Sequence, residues 1–227
     1  MIDLDGKNIL LTGDKGFLGN NLKNKLLQEF GCNVVGVDLN VFDITDPNAT
    51  EQYFNSIDLE FDGVINNAAV SFKGKNISNK KFLETLNVNI FGTYNVMKHV
   101  LPKIKKGGSV VNISSVYSFA IPKYSMYDGN EEQYNNISYG ASKAAVNQMT
   151  KIMAVQMAPD IRVNAVSPGG IRGDQNIEFV KKYSQNVPLQ RMVEVDEVIG
   201  CIVFLLSDMS SGITGQNIYV DGGLGIV

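Results

Sequence analysis

Tyr139-Gly140-Ala141-Ser142-Lys143 sets a phenol and an ammonium four positions apart. On a helix, residues i and i+4 share a face. A lysine that is buried or lies beside a cofactor stabilises a phenolate and lowers the tyrosine pKa from its usual ~10 toward working pH. The tyrosine can then pass a proton to or from a hydroxyl or carbonyl oxygen while hydride moves to or from a nicotinamide. A Tyr-x-x-x-Lys pattern alone is commonplace, so its meaning rests on its surroundings.

Near the N-terminus, Thr12-Gly13-Asp14-Lys15-Gly16-Phe17-Leu18-Gly19 lies between a strand-like apolar run and a helix-period segment. Glycines there let the backbone turn tightly and approach a pyrophosphate, which then rests on the helix N-terminus. Asp38 ends the second strand-like run, 25 residues after Gly13. A carboxylate so placed accepts hydrogen bonds from the adenosine ribose and repels a 2′-phosphate, favouring NAD over NADP. Lys15 argues the other way, because a base beside the glycine turn could pair with that phosphate. Asp38 carries more weight, since its strand-end position points at the ribose; its bland reading is a turn or helix-cap carboxylate.

These residues need a scaffold, and the apolar pattern describes one. Strand-like runs at 8–12, 33–38, 63–67, 109–114, 162–167 and 217–220 alternate with helix-period segments. That alternation predicts a three-layer α/β/α fold, a Rossmann-type, doubly wound parallel sheet in one domain, 1–227. Leu18, Leu22, Leu26 and Phe30 recur every four residues in the first helix. Further helices are expected at about 79–105, 139–158 and 195–206. Asp43-Ile44-Thr45-Asp46 follows Asp38 too closely for a helix and a full strand. The sheet is therefore abbreviated between its second and fourth strands, with at most a very short strand at 41–42. Segments 116–136 and 169–190 are expected to be substrate loops, because both follow strand carboxyl ends, where open α/β sheets bind ligands.

Composition narrows the partners. A formal net charge of -3, with no Lys/Arg run longer than two, argues against nucleic acid or an anionic membrane. The longest apolar runs fall far short of the ~20 residues that span a bilayer, and no secretory leader pattern precedes the first strand. A cytoplasmic location is expected. Cys32, Cys201 and the lone His99 lack metal-ligand spacing and read as structural. Helix 139–158 carries an apolar stripe of Ala145, Met149, Ile152, Met153 and Met157, and 198–206 is almost continuously apolar. Burial against a second subunit accounts for the excess, and a homodimer or homotetramer is expected.

Seven motifs in order now give the pattern a family. The glycine turn is followed by Asn66-Asn67-Ala68-Ala69, Asn87-Val88-Asn89 with Gly92, and Asn112-Ile113-Ser114-Ser115. Then come Tyr139 to Lys143, Arg162-Val163-Asn164 before Ser167-Pro168-Gly169, and Thr214-Gly215-Gln216 before Val220-Asp221-Gly222-Gly223. Over nearly its whole length the chain resembles the short-chain dehydrogenase/reductase family. The resemblance implies a tetrad of Asn89, Ser115, Tyr139 and Lys143. Tyr139 matches the general acid/base. Lys143 matches the residue that tunes it and holds the nicotinamide ribose. Ser115, rather than Ser114, matches the serine bonded to the reacting oxygen, and Asn89 the helix asparagine that steadies a relay water. For the cofactor it implies Gly13, Lys15, Gly16, Phe17, Leu18 and Gly19 at the pyrophosphate and Asp38 at the ribose. Asp43 with Ile44 matches the adenine contact, and Asn67, Ala68 and Ala69 the strand end beside the adenosine. Pro168, Gly169 and Ile171 match the carboxamide end.

Three features depart from the short branch of the family. The glycine spacing is that of the nucleotide-sugar branch. Ser115 and Tyr139 stand 24 residues apart, about twice the short-branch gap. Gly173 replaces a common phosphate-contacting threonine. The mixture is similar to a subgroup from bacterial glycan and flagellin-modification pathways, with Tyr117, Tyr124, Tyr127 and Asp128 suited to a hydroxylated substrate. The expected activity is NAD-dependent interconversion of a secondary alcohol and a ketone, on a sugar or amino-sugar precursor. The alternatives are an NAD-dependent epimerase or dehydratase and a non-catalytic nucleotide-sensing protein.

Overall fold

Among the described residues, six parallel strands form one sheet: β1 (Asn8–Thr12), β2 (Asn33–Val37), β3 (Phe61–Asn66), β4 (Ile104–Ile113), β5 (Arg162–Pro168) and β6 (Asn217–Val220). Their order is β2-β1-β3-β4-β5-β6, in a computed structural model that describes residues 2–127 and 130–227. Strand order reverses between β1 and β3, which opens a crevice at their carboxyl ends. The alternation of side chains along each strand assigns the two faces. Ile9 and Leu11 pack with Leu22 and Leu26 of α1 (Phe17–Gln28) and with Ile199 and Ile202 of α7 (Val195–Leu206). Leu10, between them, points to the other face. There it meets Phe54 of α2 (Pro47–Ser56), Met97 of α4 (Thr93–Val100) and Met153 of α5 (Ile137–Met157).

The sheet is abbreviated where the sequence requires it, but 41–42 is a turn and not a strand. The Val41 and Phe42 amides both donate to the Asp38 carbonyl. This turn sends Phe42 inward onto Tyr53 and Phe54, at ring-centroid distances of 4.7 and 6.1 Å. Helix α2 was not among the expected elements, although its start is written in the sequence. Asp46 caps it by accepting from the Asn48 and Ala49 amides, and Pro47 occupies the first turn.

The single helix expected at 79–105 is broken into α3 (Asn79–Leu86), a π turn (Asn87–Gly92), α4 and a short 3-10 turn (Leu101–Lys103). Residues 104 and 105 already belong to β4. Pro102 lacks the amide that would continue the helix. Within 169–190, α6 (Ile177–Gln185) replaces part of the expected loop, capped by Asn176 on the Phe179 amide. The loop at 116–136 contains short 3-10 turns; Asp128 lies outside the described residues.

The apolar run of α7 is explained within the chain, where Val198, Ile199, Ile202, Val203, Leu205 and Leu206 are all buried. Helix α5 differs, because Ile152 and Val155 remain exposed at 47% and 79%. Among the described residues no helix is long and apolar enough to cross a membrane. Cys32 and Cys201 are free thiols, pushed up to about 11 by burial and hence poor nucleophiles.

Candidate active site

The turn after β1 is held by contacts that admit no side chain. Gly13 has φ +67°, and a Cβ on it would lie 2.7 Å from the Ala68 Cα. A Cβ on Gly19 would lie 2.0 Å from the Gly13 carbonyl oxygen. Thr12 ties this turn to the end of β3, since its Oγ1 accepts from the Asn67 and Ala68 amides, each at 3.1 Å. The Asn67 side-chain amide donates to the Thr12 and Gly13 carbonyls at 3.2 and 2.9 Å. Thr12 was not singled out in the sequence, although it opens the motif. Gly16 caps α1 without a side-chain acceptor, leaving first-turn N–H groups for an anion.

A cleft of about 1120 Å³ runs from this turn. Of the expected cofactor residues, it is lined by Gly13, Gly16, Phe17 and Leu18, by Asp38, Asp43 and Ile44, and by Asn67, Ala68 and Ala69. Its bare glycine backbone, open helix N-terminus and strand-end carboxylate fit a dinucleotide. Gly19 lies beneath the turn. Lys15 is exposed and does not line the cleft; its amide donates to Asp38 Oδ2 at 3.2 Å. Asp38 Oδ1 accepts from the Leu39 amide at 2.7 Å, so the backbone orients this carboxylate. Asp43 Oδ1 takes the Thr45 amide and hydroxyl, both at 2.8 Å. Under the turn, Asp14 pairs with Lys23 of α1 at 2.6 Å.

Tyr139, Ser115 and Lys143 converge where β4 meets α5. Asn136 caps α5 by accepting from the Ser138 and Tyr139 amides, which places Tyr139 in the first turn. The Tyr139 hydroxyl is hydrogen-bonded to Ser115. Ser114 faces away and donates to the Lys143 carbonyl at 3.1 Å. Lys143 is buried; its Nζ donates to the Ile113 carbonyl at 2.7 Å and lies 5.9 Å from the Tyr139 ring centroid. Burial pulls this ammonium down to about 8. Burial also pushes the Tyr139 phenol up, the Ser115 hydrogen bond opposes the rise, and Tyr117 adds to it. Burial thus favours the neutral form of both groups, and Ser115, not Lys143, is what opposes the rise of the phenol.

Asn89 sits in the π turn with its side chain fully engaged. Its Oδ1 accepts from the Val70 amide at 2.8 Å, and Nδ2 donates to the Val70 carbonyl and to Ser142 Oγ. Ser142 in turn donates to the Tyr139 carbonyl at 2.8 Å. Asn89 thereby fastens the loop after β3 to the helix that carries the tyrosine.

A second cavity, about 550 Å³, adjoins the cleft where Val70 of one meets Ser71 of the other. Ser115 and Tyr139 line it, with Tyr117 and Tyr127 from the loop after β4. Tyr183 of α6 closes another side; its hydroxyl accepts from the Gly170 amide at 2.6 Å, and burial pushes it up to about 12. A Cβ on Gly170 would lie 2.8 Å from that ring. Gly169 lines this cavity, Pro168 ends β5, and Ile171 bridges to Val193 without lining either space.

A parallel sheet with a dinucleotide turn, joined to a Ser-Tyr-Lys cluster, defines a nicotinamide-dependent oxidoreductase, and the chain belongs to the short-chain dehydrogenase/reductase family. Residues 6–225 match the family model described as enoyl-(acyl carrier protein) reductase. The 3-oxoacyl-(acyl-carrier-protein) reductase of Aquifex aeolicus is 33% identical, over 96% of this chain and 88% of that protein. The post-translational flagellin modification protein A of Campylobacter coli is 29% identical over 90% of this chain and 83% of its own. Among solved structures, the aldohexose dehydrogenase of Thermoplasma acidophilum has a TM-score of 0.86 at 27% identity, covering 100% of this chain and 96% of that one. A short-chain dehydrogenase of Leptospira borgpetersenii with bound NAD+ has a TM-score of 0.85 at 28% identity, covering 99% and 94%.

Proposed function

We propose that this enzyme interconverts a secondary alcohol and a ketone on a small hydroxylated substrate, a sugar or amino-sugar precursor, with NAD preferred over NADP. The observation that carries the reading is the hydrogen-bonded Ser115–Tyr139 pair in the wall of a tyrosine-rich cavity beside the dinucleotide cleft. NAD(H), when bound, supplies or accepts the hydride. Ser115 orients the reacting oxygen, and Tyr139 donates or removes its proton. Lys143 holds the nicotinamide ribose and offsets charge on the phenolate, and Asn89 keeps the Tyr139 helix in place. The expected cofactor residues that line the cleft keep their assigned contacts in this reading, with Asp38 on the ribose, whereas Lys15, Gly19 and Ile171 stand outside it. The exposed Ile152 and Val155 of α5 support a homodimer or homotetramer.

The strength of the match to 3-oxoacyl reductases favours a second reading, reduction of a 3-oxoacyl thioester. Absorbance at 340 nm with keto- and hydroxy-sugars beside an acetoacetyl thioester separates the two. Product formation without net NADH change points instead to an epimerase or dehydratase. Tyr139→Phe should lower kcat by at least ~100-fold, within the range of general acid–base catalysis, and leave NAD affinity nearly unchanged. A wild-type rate in that variant overturns the acid/base assignment.

A further inference from the structure

Lys73 stands in the wall of the cavity that holds Ser115 and Tyr139, on the loop after β3. That loop is pinned to the segment before α5. Lys73 and Asn135 form an antiparallel bridge, the Gly74 amide donates to the Tyr134 carbonyl at 2.8 Å, and the Lys75 amide donates to the Glu131 carbonyl at 2.9 Å. The two neighbouring lysines are treated differently. Lys75 forms an ion pair with Glu131 at 2.6 Å. Lys73 Nζ donates instead to the neutral Asn135 side-chain oxygen, and among the described residues it forms no ion pair, even though Glu132 lines the same cavity. Partial loss of water lowers the Lys73 pKa, with no carboxylate to oppose it. Lys73 is exposed, and an ammonium whose bonded partner is a neutral amide is free to donate a charge-assisted hydrogen bond to an anion arriving on its open side.

We propose that Lys73 forms an anion subsite of the substrate cavity, and that the physiological substrate is a hydroxy or keto compound carrying a carboxylate. This rests on the cavity being the substrate site, as read above. The backbone bridge holds the Lys73 loop at the wall, and Asn135 holds the ammonium, so the carboxylate meets a preorganised donor while Ser115 and Tyr139 address the reacting oxygen. Specificity between an acid and its neutral analogue then resides in this one side chain.

The test uses D-gluconate and D-sorbitol as matched six-carbon probes, titrated calorimetrically into the full-length enzyme saturated with NAD. Wild type should bind gluconate at least ~10-fold more tightly than sorbitol, one charge-assisted hydrogen bond being worth about 1.5–3 kcal/mol. Lys73→Gln, which can still donate to Asn135, should remove that preference and leave sorbitol affinity unchanged; Lys73→Arg should keep it. Equal gluconate affinity in wild type and Lys73→Gln overturns the subsite, as does equal affinity of wild type for the two probes. Turnover is read separately at 340 nm. Lys73-dependent gluconate binding supports the subsite even if no probe is turned over, whereas that lack of turnover counts against the alcohol/ketone reading.

Discussion

Lys23→Met isolates the ion pair beneath the dinucleotide turn. Asp14 is buried, with its side chain 3% exposed, and Lys23 keeps 28%. At 2.6 Å and an effective dielectric of about 20, the two charges attract by about 6 kcal/mol before their desolvation is counted. Desolvation removes much of that, but taking away one partner leaves a carboxylate stranded in the interior, at a typical cost of 3–5 kcal/mol. The carboxylate has little room to move. A Cβ on Gly36 of β2 would already lie 2.2 Å from Asp14 Oδ2. Because Lys23 is partly wet, the low end applies, about 3 kcal/mol. For a domain of this size that is roughly 6–12 °C in Tm. Urea unfolding of the cofactor-free protein gives the free energy directly, and Asp14→Asn/Lys23→Met should recover at least half the loss. A single variant within about 0.5 kcal/mol of wild type, or a double variant no better than the single, refutes the stranded-charge argument.

Asp38→Ala should reduce the NAD/NADP selectivity ratio of kcat/KM at least ~10-fold, since it removes a charge-assisted hydrogen bond to the ribose and the repulsion of a 2′-phosphate; unchanged selectivity removes Asp38 from the cofactor reading. Gly19→Ala should weaken NAD binding at least ~10-fold and cost about 1–3 kcal/mol of stability, because the new methyl meets the Gly13 carbonyl; calorimetric titration and urea unfolding measure both. Lys143 is pulled down to about 8 from its ordinary 10.5, so between those pH values the unfolded chain binds the extra proton and stability rises with pH. Wild-type stability minus that of Lys143→Met should therefore climb from pH 8 to 10, and a flat difference shows that the ammonium is not desolvated in the native state.

Where sequence reading succeeded, the signal was local. The edges of β1, β6 and α7 follow from runs of apolar residues and the residues that end them. The glycine turn was legible because Gly13 and Gly19 answer to backbone constraints that few other residues satisfy. The reading failed where two adjacent signals had opposite meanings. Helix periodicity persists through 79–105, yet Asn89 is drawn into bonds with Val70 and Ser142 and the helix relaxes into a π turn. Phe42 has strand propensity, but the aromatic cluster with Tyr53 and Phe54 placed it in a turn.

The sequence by itself determined the order of elements, the parallel sheet and the residues able to do chemistry, because periodicity, caps and motif spacing are properties of neighbours along the chain. Only the tertiary structure decided how those residues behave. It turned Ser115 toward Tyr139 and Ser114 toward the Lys143 backbone. It made burial, rather than the lysine charge, dominate the phenol. It also left Lys73 facing the cavity with an amide for a partner. Each of these depends on desolvation and on contacts between segments far apart in the chain, and those arise only when the layers pack.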